Sequence, residues 1–395
     1  MSYYKIENLE QYFKHYNKSV REPRKFWGKI AEENFTWYQL WDKVVDFNMA
    51  EAEVKWFTEA KVNITKNCID RHLNKRGDRT AIIFEPNSPD EEALHISYNE
   101  LHQRVCKMAN VLREQGIKKG DRVCIYLPMI PELAVSILAC ARIGAIHSVV
   151  FAGFSASAVA SRIIDSECKM VITSDGGYRG NKTIELKGII DEALVNCPSV
   201  ESVLVAKRTN TDINMKPGRD QWLQPLFDAA SDNNVAEIMD AEDPLFILYT
   251  SGSTGKPKGM VHTTAGYMVH TAYTFKNVFN YEDNDIFWCT ADIGWITGHS
   301  YILYGPLLNG ATTVIFEGVP SYPDFSRFWE IIEKHKITQF YTAPTAIRAL
   351  AKESLDYVQK YPLKTLKVIG SVGEPINEEA WHWFNDHVGG KRCPI

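Results

Sequence analysis

The segment YTSGSTGKPKGMVHT, residues 249–263, combines residue types that bind phosphate. Its glycines allow backbone N–H groups to approach a ligand closely, its serines and threonines offer hydroxyls, and its two lysines offer positive charge. It follows DPLFILYT, an apolar run that predicts a buried strand. Since ligands of α/β folds bind beyond the carboxyl ends of strands, we expect a nucleotide-phosphate site here.

Two familiar phosphate-binding motifs do not describe this segment. A Walker loop requires Ser or Thr after Gly-Lys, whereas Pro257 follows Gly255 and Lys256. The dinucleotide fingerprint GxGxxG is also missing, so a P-loop kinase or GTPase is excluded on its motifs. A flexible glycine hairpin or linker remains the alternative. Against it stand the preceding strand, the two lysines and the helix-like run MVHTTAGYMVHTAYTF, residues 260–275.

The regions that must position this segment alternate between predicted helices and strands. Apolar residues at helical spacing predict a helix that Gly116 ends and a second helix from Pro131 to Gly144. Short β-rich runs predict strands in RTAIIFE, DRVCIYL, AIHSVVF, CKMVITS, VESVLVA, DPLFILYT, NDIFWCT, ATTVIFE, ITQFYTA and LKVIG. The alternation predicts an α/β fold with two mixed, mostly parallel sheets flanked by helices.

The length of 395 residues predicts more than one structural unit. We expect a tryptophan-rich lead segment packed on the body (1–78), a first α/β subdomain (79–240) and a second that carries the phosphate segment (241–395). The boundary falls in the polar run SDNNVAEIMDAEDP. Because HVGGKRCPI stops where a further strand is expected, the second subdomain is predicted to be incomplete.

Composition and charge narrow the class of protein. A net charge of −5 argues against a nucleic-acid or anionic-membrane partner. The N-terminus lacks a signal peptide, and no run reaches the ~18 apolar residues of a membrane span, which predicts a cytoplasmic enzyme. The eight cysteines form no CxxC pair, so reduced core thiols are expected rather than a zinc site or a disulfide framework.

The phosphate segment resembles the signature loop of the adenylate-forming superfamily of acyl-CoA synthetases, luciferases and peptide-synthetase adenylation domains. Further motifs narrow the resemblance to the AMP-forming acetate–CoA ligases: DIGWITGHSYILYGPLLNGATTVIFEG, VPSYPDFSRFW, FYTAPTAIRAL, GSVGEPIN, FAGFSASAVASRI, NCIDRHLNKRGD and SDGGYRGNK. The resemblance covers nearly the whole chain. It implies the large N-terminal domain of that fold, without its small C-terminal domain.

The resemblance also implies a reaction. ATP would convert acetate into acetyl-adenylate and pyrophosphate, Mg²⁺ would bridge phosphate oxygens, and coenzyme A would then take the acetyl group. Two alternatives remain: a ligase for propionate or another short acid, and a non-catalytic nucleotide-binding derivative. Because the family places further ligands and an adenylation lysine beyond the last residue here, the chain is expected to be a fragment that is inactive alone. The sequence makes no prediction of oligomeric state.

Site residues follow from the resemblance position by position. The ATP-binding residues would be Thr250, Ser251, Gly252, Ser253, Thr254, Gly255, Lys258, Gly373, Glu374 and Pro375. Lys258 and Thr254 would act catalytically, since charge and hydroxyl groups stabilise the departing pyrophosphate. A strand-to-helix turn in which Asn377 caps the next helix is a second interpretation of GSVGEPIN, compatible with the first.

The acyl and coenzyme A sites are assigned in the same way. The acyl pocket would comprise Trp295, Ile296, Thr297 and Val372, with ordinary core packing as the alternative for Trp295. Coenzyme A would contact Arg179, Lys182, Thr297 and Ser321, with solvated surface charge as the alternative. The family usually has arginine at the position of Lys182 and often asparagine at that of Ser321. No protein metal ligand is predicted, and His262, His270 and His299 are interpreted as structural.

Overall fold

The computed structural model describes residues 4–250 and 255–395. The α-helices are α1 (Leu9–Arg21), α2 (Pro23–Asn34), α3 (Ile64–Cys68), α4 (Leu73–Arg76), α5 (Tyr98–Glu114), α6 (Pro131–Ile143), α7 (Ala156–Ser166), α8 (Leu186–Ala193), α9 (Leu223–Ala229), α10 (Thr264–Val278), α11 (Ile296–Gly298), α12 (Gly305–Leu308), α13 (Arg327–His335), α14 (Pro344–Ala351), α15 (Asp356–Gln359) and α16 (Glu378–Trp383). Two π-helical turns span His299–Tyr304 and Phe384–Val388, and 3₁₀ turns span Asp70–His72 and Leu194–Asn196.

The strands are β1 (Lys43–Asn48), β2 (Glu53–Thr58), β3 (Lys61–Val62), β4 (Thr80–Glu85), β5 (Leu94–Ser97), β6 (Arg122–Tyr126), β7 (Ile146–Val149), β8 (Met170–Ser174), β9 (Gly177–Arg179), β10 (Lys182–Ile184), β11 (Ser202–Ala206), β12 (Asp220–Trp222), β13 (Met239–Asp240), β14 (Pro244–Thr250), β15 (Lys258–Thr263), β16 (Ile286–Cys289), β17 (Thr312–Phe316), β18 (Gln339–Thr342) and β19 (Val368–Ser371). All ten predicted strands are confirmed as β4, β6, β7, β8, β11, β14 and β16–β19.

Two large sheets organise the described residues. The first has seven strands in the order β12-β11-β8-β6-β7-β14-β15, and only the edge pair β14–β15 is antiparallel. The second has six strands in the order β19-β18-β16-β17-β4-β5, and only β4–β5 is antiparallel. Short antiparallel pairs join β1 to β2, β9 to β10 and β3 to β13. The predicted α/β fold of mixed, mostly parallel sheets is therefore confirmed.

Local sequence signals set the helices on the first sheet. Helix α5 begins at a capping box, in which Ser97 and Glu100 each bond the other's backbone N–H. Helix α6 begins with Pro131 and is followed by Gly144, as predicted. Helix α6 is buried over nearly its whole length because α5 covers it, and this layer forms one side of the core.

Two predictions made from the sequence differ from the structure. The run 260–275 was predicted to be helix-like throughout, but it begins in β15, and α10 starts only at Thr264. This prediction is wrong at its start because β15 pairs with β14, a long-range contact that local periodicity does not reveal. Strands also cross the predicted boundary after residue 240, since β14 and β15 join the first sheet and β4 and β5 the second. The predicted division into subdomains stays a prediction.

The remaining features concern the lead segment, the cysteines and the membrane. Trp27 packs edge-on against Tyr273 of α10, with ring centroids 5.3 Å apart, so the lead segment contacts the body. All eight cysteines are free and buried, as expected. Over the residues that the structure describes, no helix is both long and apolar enough to cross a membrane.

Candidate active site

A cavity of about 250 Å³ opens where strands of both large sheets end. Its walls come from the segments that follow β6, β7, β16 and β17 and from the strand β9. Parallel strands present their carboxyl ends at one edge of a sheet, which is where α/β proteins bind ligands. Neither sheet alone encloses this space, so the cavity exists only because the two sheets meet.

Three aromatic rings pack together as an aromatic wall, of which Trp295 and Phe151 line the cavity and Phe154 packs against both. The ring centroid of Trp295 lies 4.8 Å from that of Phe151 and 6.3 Å from that of Phe154. Trp295 stands at the start of α11 and is 47% exposed. Such exposure excludes the alternative that Trp295 is an ordinary core residue, because core tryptophans are almost fully buried. Its side chain is available to contact a ligand.

A cation lies above the same aromatic wall. The Arg179 guanidinium is 5.6 Å from the centre of the Phe151 ring, and Arg179 lines the cavity. Lys182 is its partner across the β9–β10 hairpin but is not among the cavity-lining residues. The turn is fixed by Asn87, whose side chain both donates to and accepts from the backbone of Gly180, at 2.9 Å each. Arg179 therefore lines the cavity, whereas Lys182 lies next to it, outside the lining.

The predicted residue Ser321 lies close to this hairpin. It is exposed and follows Pro320, which lines the cavity. A side chain added at Gly180 would lie 3.3 Å from Val319 and 3.5 Å from Tyr322, so the β9–β10 turn packs on the segment that contains Ser321. Lys182 and Ser321 thus lie close to Arg179, which alone of the three lines the cavity.

Asp292 carries a half-buried carboxylate that lines the cavity and that the sequence analysis did not single out. Its side chain accepts a hydrogen bond from the Gly294 N–H at 2.7 Å. Burial raises the pKa of Asp292 to about 6, against the opposing effects of that bond and of Arg179. Gly298 packs directly on this turn, because a Cβ there would lie 2.2 Å from the Asp292 carbonyl oxygen.

A second carboxylate, that of Glu317, also lines the cavity. Glu317 follows β17 and accepts hydrogen bonds from Arg208 at 2.6, 2.9 and 3.2 Å. Arg208 also pairs with Glu91 at 2.9 Å. Because both Glu317 oxygens are occupied by the guanidinium, Glu317 serves to fix the segment after β17 rather than to bind a further cation.

Histidines lie beneath the site as a buried stack. The rings of His147 and His299 are parallel to within 8° at 5.5 Å, and Phe246 of β14 packs on both. His299 contacts the Ile293 carbonyl oxygen, and burial lowers its pKa to about 4. His262 stacks on the other side of Phe246 at 4.4 Å, while His270 is exposed on α10. Neutral, packed rings agree with the structural role predicted for His262 and His299.

The strands on either side of the predicted phosphate segment pair with each other at the edge of the first sheet. Thr250 at the end of β14 pairs with Lys258 at the start of β15, and both are exposed. Gly255 adopts φ +82°, a conformation that favours glycine. The predicted residues Ser251, Gly252, Ser253 and Thr254 lie outside the described residues. The exposed Lys258 side chain lies beside the carboxyl end of β14, where it can meet a ligand.

One strand of the hairpin is anchored toward the cavity. The Tyr249 hydroxyl donates to Asp165 of α7 at 2.7 Å. Arg162, one turn earlier, lies over both the Tyr249 ring at 5.5 Å and the Phe154 ring at 4.8 Å. Since Phe154 belongs to the aromatic wall, this chain of contacts links the base of the hairpin to the cavity.

The second predicted ATP-binding segment lies at the edge of the other sheet. Gly373, Glu374 and Pro375 follow β19 and are exposed. Glu374 is held on α14, where it accepts from the Thr345 hydroxyl and pairs with Arg348 at 2.8 Å. Asn377 occupies the position before α16, as predicted, but its side chain makes no capping hydrogen bond. The capping part of that prediction is therefore wrong.

The predicted acyl-pocket residues are only partly brought together. Ile296 and Thr297 follow Trp295 in α11, Ile296 being exposed and Thr297 half-buried. Val372 is half-buried after β19, where its N–H donates to the Thr342 carbonyl at 3.1 Å. Of the four, only Trp295 lines the cavity. A pocket with Val372 opposite Trp295 stays a prediction.

Three functional candidates were missed at the level of single residues: Phe151, Asp292 and Glu317. Each lies inside a motif that the sequence analysis quoted, namely FAGFSASAVASRI or DIGWITGHSYILYGPLLNGATTVIFEG. Each lies at the last residue of a predicted strand or just after it, which was the signal available. Nothing local distinguishes these residues from their neighbours, because what unites them is the meeting of β7, β16 and β17.

No protein metal centre accompanies the cavity. Across residues 4–250 and 255–395, no group of three or more His, Cys, Asp or Glu side chains is arranged to hold a metal ion.

Comparison with known proteins agrees with this architecture. Residues 69–395 match the family of AMP-binding enzymes. The chain belongs to that family. Residues 12–68 match a second family, described as the acetyl-coenzyme A synthetase N-terminus. The lead segment and the body thus match two families that adjoin at residue 68.

Individual relatives are similar over almost the whole chain. Acetyl-coenzyme A synthetase 2 of Pseudomonas aeruginosa is 55% identical over 98% of the chain, and that alignment covers 60% of the relative. The acetyl-coenzyme A synthetase of Halorhodospira halophila is 53% identical, with the same coverage, and that of Syntrophobacter fumaroxidans is 57% identical over 98% of the chain and 59% of the relative. The chain spans about 60% of the length of the curated relatives it matches.

Proposed function

We propose that these residues belong to an AMP-forming acetate–CoA ligase. In the proposed reaction acetate attacks the α-phosphorus of ATP, acetyl-adenylate forms and pyrophosphate leaves; the CoA thiol then attacks the acetyl carbonyl and AMP leaves. The observation that carries the proposal is the cavity shared by Trp295 and Arg179, which the resemblance assigned to two different sites, those of the acyl group and of coenzyme A. The names of the relatives support acetate as the acid.

In the first step the edge hairpin binds the departing phosphates. Lys258 offers positive charge at the carboxyl end of β14, and the glycine-rich turn offers backbone N–H groups. Thr254 and its neighbours 251–253 would add hydroxyls and N–H groups, as the resemblance implies. Gly373, Glu374 and Pro375 would contact the adenine and ribose. Magnesium neutralises phosphate charge in such reactions and would be held by the ATP oxygens.

In the second step the aromatic wall and Arg179 receive coenzyme A. Arg179 can bind a phosphate through two parallel N–H groups, while Lys182 and Ser321 lie close to it. Thr297, directly after the acyl-pocket residues Trp295 and Ile296, would lie between the thiol and the acyl group. The exposed face of Trp295 closes the pocket against longer acids, since bulk is the means by which a site excludes an extra methylene.

The test of this proposal is acid-dependent exchange of pyrophosphate into ATP by the natural full-length protein, whatever its length. Acetate should support faster exchange than propionate, and butyrate should support little. Trp295→Gly should raise the rate with butyrate relative to acetate by about tenfold, because each accommodated methylene is worth roughly 1 kcal/mol or more. Phe154→Leu, which alters the same aromatic wall away from the acid, is the matched control and should keep the preference for acetate.

Two outcomes would contradict the assignment. An unchanged acetate preference in Trp295→Gly would remove Trp295 from the acyl pocket. Faster exchange with propionate than with acetate in the unmodified protein would favour the propionate-type alternative. That residues 1–395 form no acetyl-CoA by themselves stays a prediction, checked by assaying this chain with acetate, ATP, magnesium and coenzyme A. A cytoplasmic location likewise stays a prediction.

A further inference from the structure

A second cavity of about 410 Å³ lies away from the candidate active site, between α5, α6 and α9. Its lining combines apolar residues, namely Met108, Val135, Leu223 and Phe227, with polar or charged ones, namely Arg104, Lys107, Glu132, Ser136, Gln103 and Gln224. Apolar surface beside a few convergent polar groups is a usual feature of a small-molecule site.

The two cations of this cavity lack the partners that such residues normally have. Arg104 and Lys107 lie one turn apart on α5 and are half-buried. Among the residues that the structure describes, neither forms an ion pair with a carboxylate within 4 Å. Lys107 instead lies 5.6 Å from the centre of the Phe227 ring. Half-buried cations that outnumber the carboxylates of the same cavity favour an anionic ligand, since a bound anion offsets the cost of their partial desolvation.

A buried hydroxyl provides an independent sign of a ligand. Ser136 is 1% exposed, lines the cavity, and its Oγ has no hydrogen-bond partner in the described part of the chain. A buried polar atom left unpaired costs free energy, so such an atom beside a cavity indicates a missing partner. The hydroxyl stands on the second turn of α6, next to the helix N-terminus, whose positive dipole end also favours an anion.

Glu132 contributes to the net charge of the cavity lining. Burial raises the pKa of Glu132 above its usual range, while nearby Arg104 acts in the opposite direction. With Arg104, Lys107 and Glu132 charged, the lining carries a net charge of about +1, which still favours an anion. The Glu132 carboxylate would accept a hydrogen bond from a hydroxyl or N–H group on the same ligand.

From this geometry we propose that the cavity between α5, α6 and α9 binds a small phosphate monoester with a flat apolar body. Arg104 and Lys107 bind the phosphate, the Ser136 hydroxyl donates to it, and the body packs against Phe227 and Met108. Arginine suits this role because its guanidinium offers two parallel N–H groups to phosphate oxygens. The site is distinct from the cavity lined by Arg179 and Trp295, since the two share no lining residue.

The test is calorimetric titration of the natural full-length protein, whatever its length, with phenyl phosphate, inorganic phosphate and phenol. Phenyl phosphate should saturate one site and bind more tightly than either of its parts, since it alone satisfies both sides of the cavity. Arg104→Gln and Lys107→Gln should each weaken it by about tenfold, in keeping with the loss of a charge-assisted hydrogen bond. Arg113→Gln, on the last turn of α5 and paired with Glu237 at 3.3 Å, is the matched control and should leave the affinity unchanged.

Two further variants make the result decisive. Ser136→Ala should weaken phenyl phosphate by a few-fold without lowering the melting temperature, because the hydroxyl has no partner within the described fold. Equal affinity in Ser136→Ala would contradict its assigned contact. Arg179→Gln should leave phenyl phosphate binding intact; a loss there, with binding retained in Arg104→Gln, would place the probe in the other cavity. Absence of saturable binding would show a water-filled cavity and overturn the proposal.

Discussion

The edge hairpin and the cavity at the strand ends contribute to one proposed reaction but are built in opposite ways. The hairpin joins two adjacent strands at the edge of the first sheet, and the residues proposed to bind phosphate there lie within nine positions, from Thr250 to Lys258. The cavity gathers residues from several separate segments, between Pro128 and Phe328, at the ends of strands from both sheets. The hairpin residues are contiguous in sequence, whereas the cavity residues are brought together only by the packing of the two sheets.

This difference explains what each region can do. Near the hairpin, the exposed Lys258 lies beside a glycine-rich segment. Positive charge and backbone N–H groups at the protein surface suit a highly charged ligand that stays in contact with water. The cavity presents aromatic rings and a carboxylate of raised pKa, which suit a ligand that must be withdrawn from water. Changes to the hairpin should therefore affect rate more than stability, and changes to the cavity should affect binding, selectivity and pH dependence.

The largest effect is expected from Lys258→Ala. Removing the charge that acts on departing pyrophosphate should slow acetate-dependent pyrophosphate exchange by about 100-fold, since preorganised groups of this kind contribute on that scale. Because Lys258 is exposed, the melting temperature should hardly change. Lys256→Ala, two residues earlier in the same turn, is the matched control. Wild-type exchange in Lys258→Ala would refute its catalytic role.

An intermediate effect separates the two residues of the β9–β10 hairpin. Arg179→Gln should raise the KM for coenzyme A by about tenfold, because Arg179 lines the cavity and a charge-assisted hydrogen bond to phosphate is strong. Lys182→Gln should raise it only slightly, since Lys182 lies at the margin. Steady-state kinetics with varied coenzyme A measures both. Equal effects would show that coenzyme A lies along the hairpin rather than inside the cavity.

The smallest effect concerns the pH dependence of stability. With a folded-state pKa of about 6, Asp292 holds its proton more tightly in the folded than in the unfolded chain, where its pKa is about 4. Its stabilising contribution is therefore present below about pH 4 and is lost as pH rises to about 6. Asp292→Asn should remove this step from urea-unfolding curves measured between about pH 4 and pH 6. A wild-type slope between pH 4 and 6 in the variant would contradict the shift.

The sequence predicted most of the fold because its signals were local. Buried parallel strands are continuous apolar runs, so all ten were found, and α5 and α6 were marked by a capping serine, a proline and glycines. It missed β15, whose residues 260–263 are exposed or half-buried at a sheet edge and so lack a clear strand pattern. It also predicted that the Asn377 side chain caps α16, but that side chain makes no capping hydrogen bond.

The candidate site divides in the same way. Lys258, Gly255 and Thr250 could be named in advance because their chemistry is contiguous, and Trp295 and Arg179 because their motifs resemble those of a family. Whether Trp295 was core or surface could not be decided, since the same residue type serves both; its 47% exposure decided it.

By itself, then, the sequence determined the class of fold, the positions of the strands and the family, because apolar periodicity and contiguous motifs are properties of short segments. Only the tertiary structure decided that Phe151, Asp292, Arg179 and Glu317 face one cavity. Only it showed that Arg104, Lys107 and Ser136 line another. The physical reason is that a cavity is bounded by side chains from strands and helices far apart in the chain, and their distances are set by how sheets and helices pack.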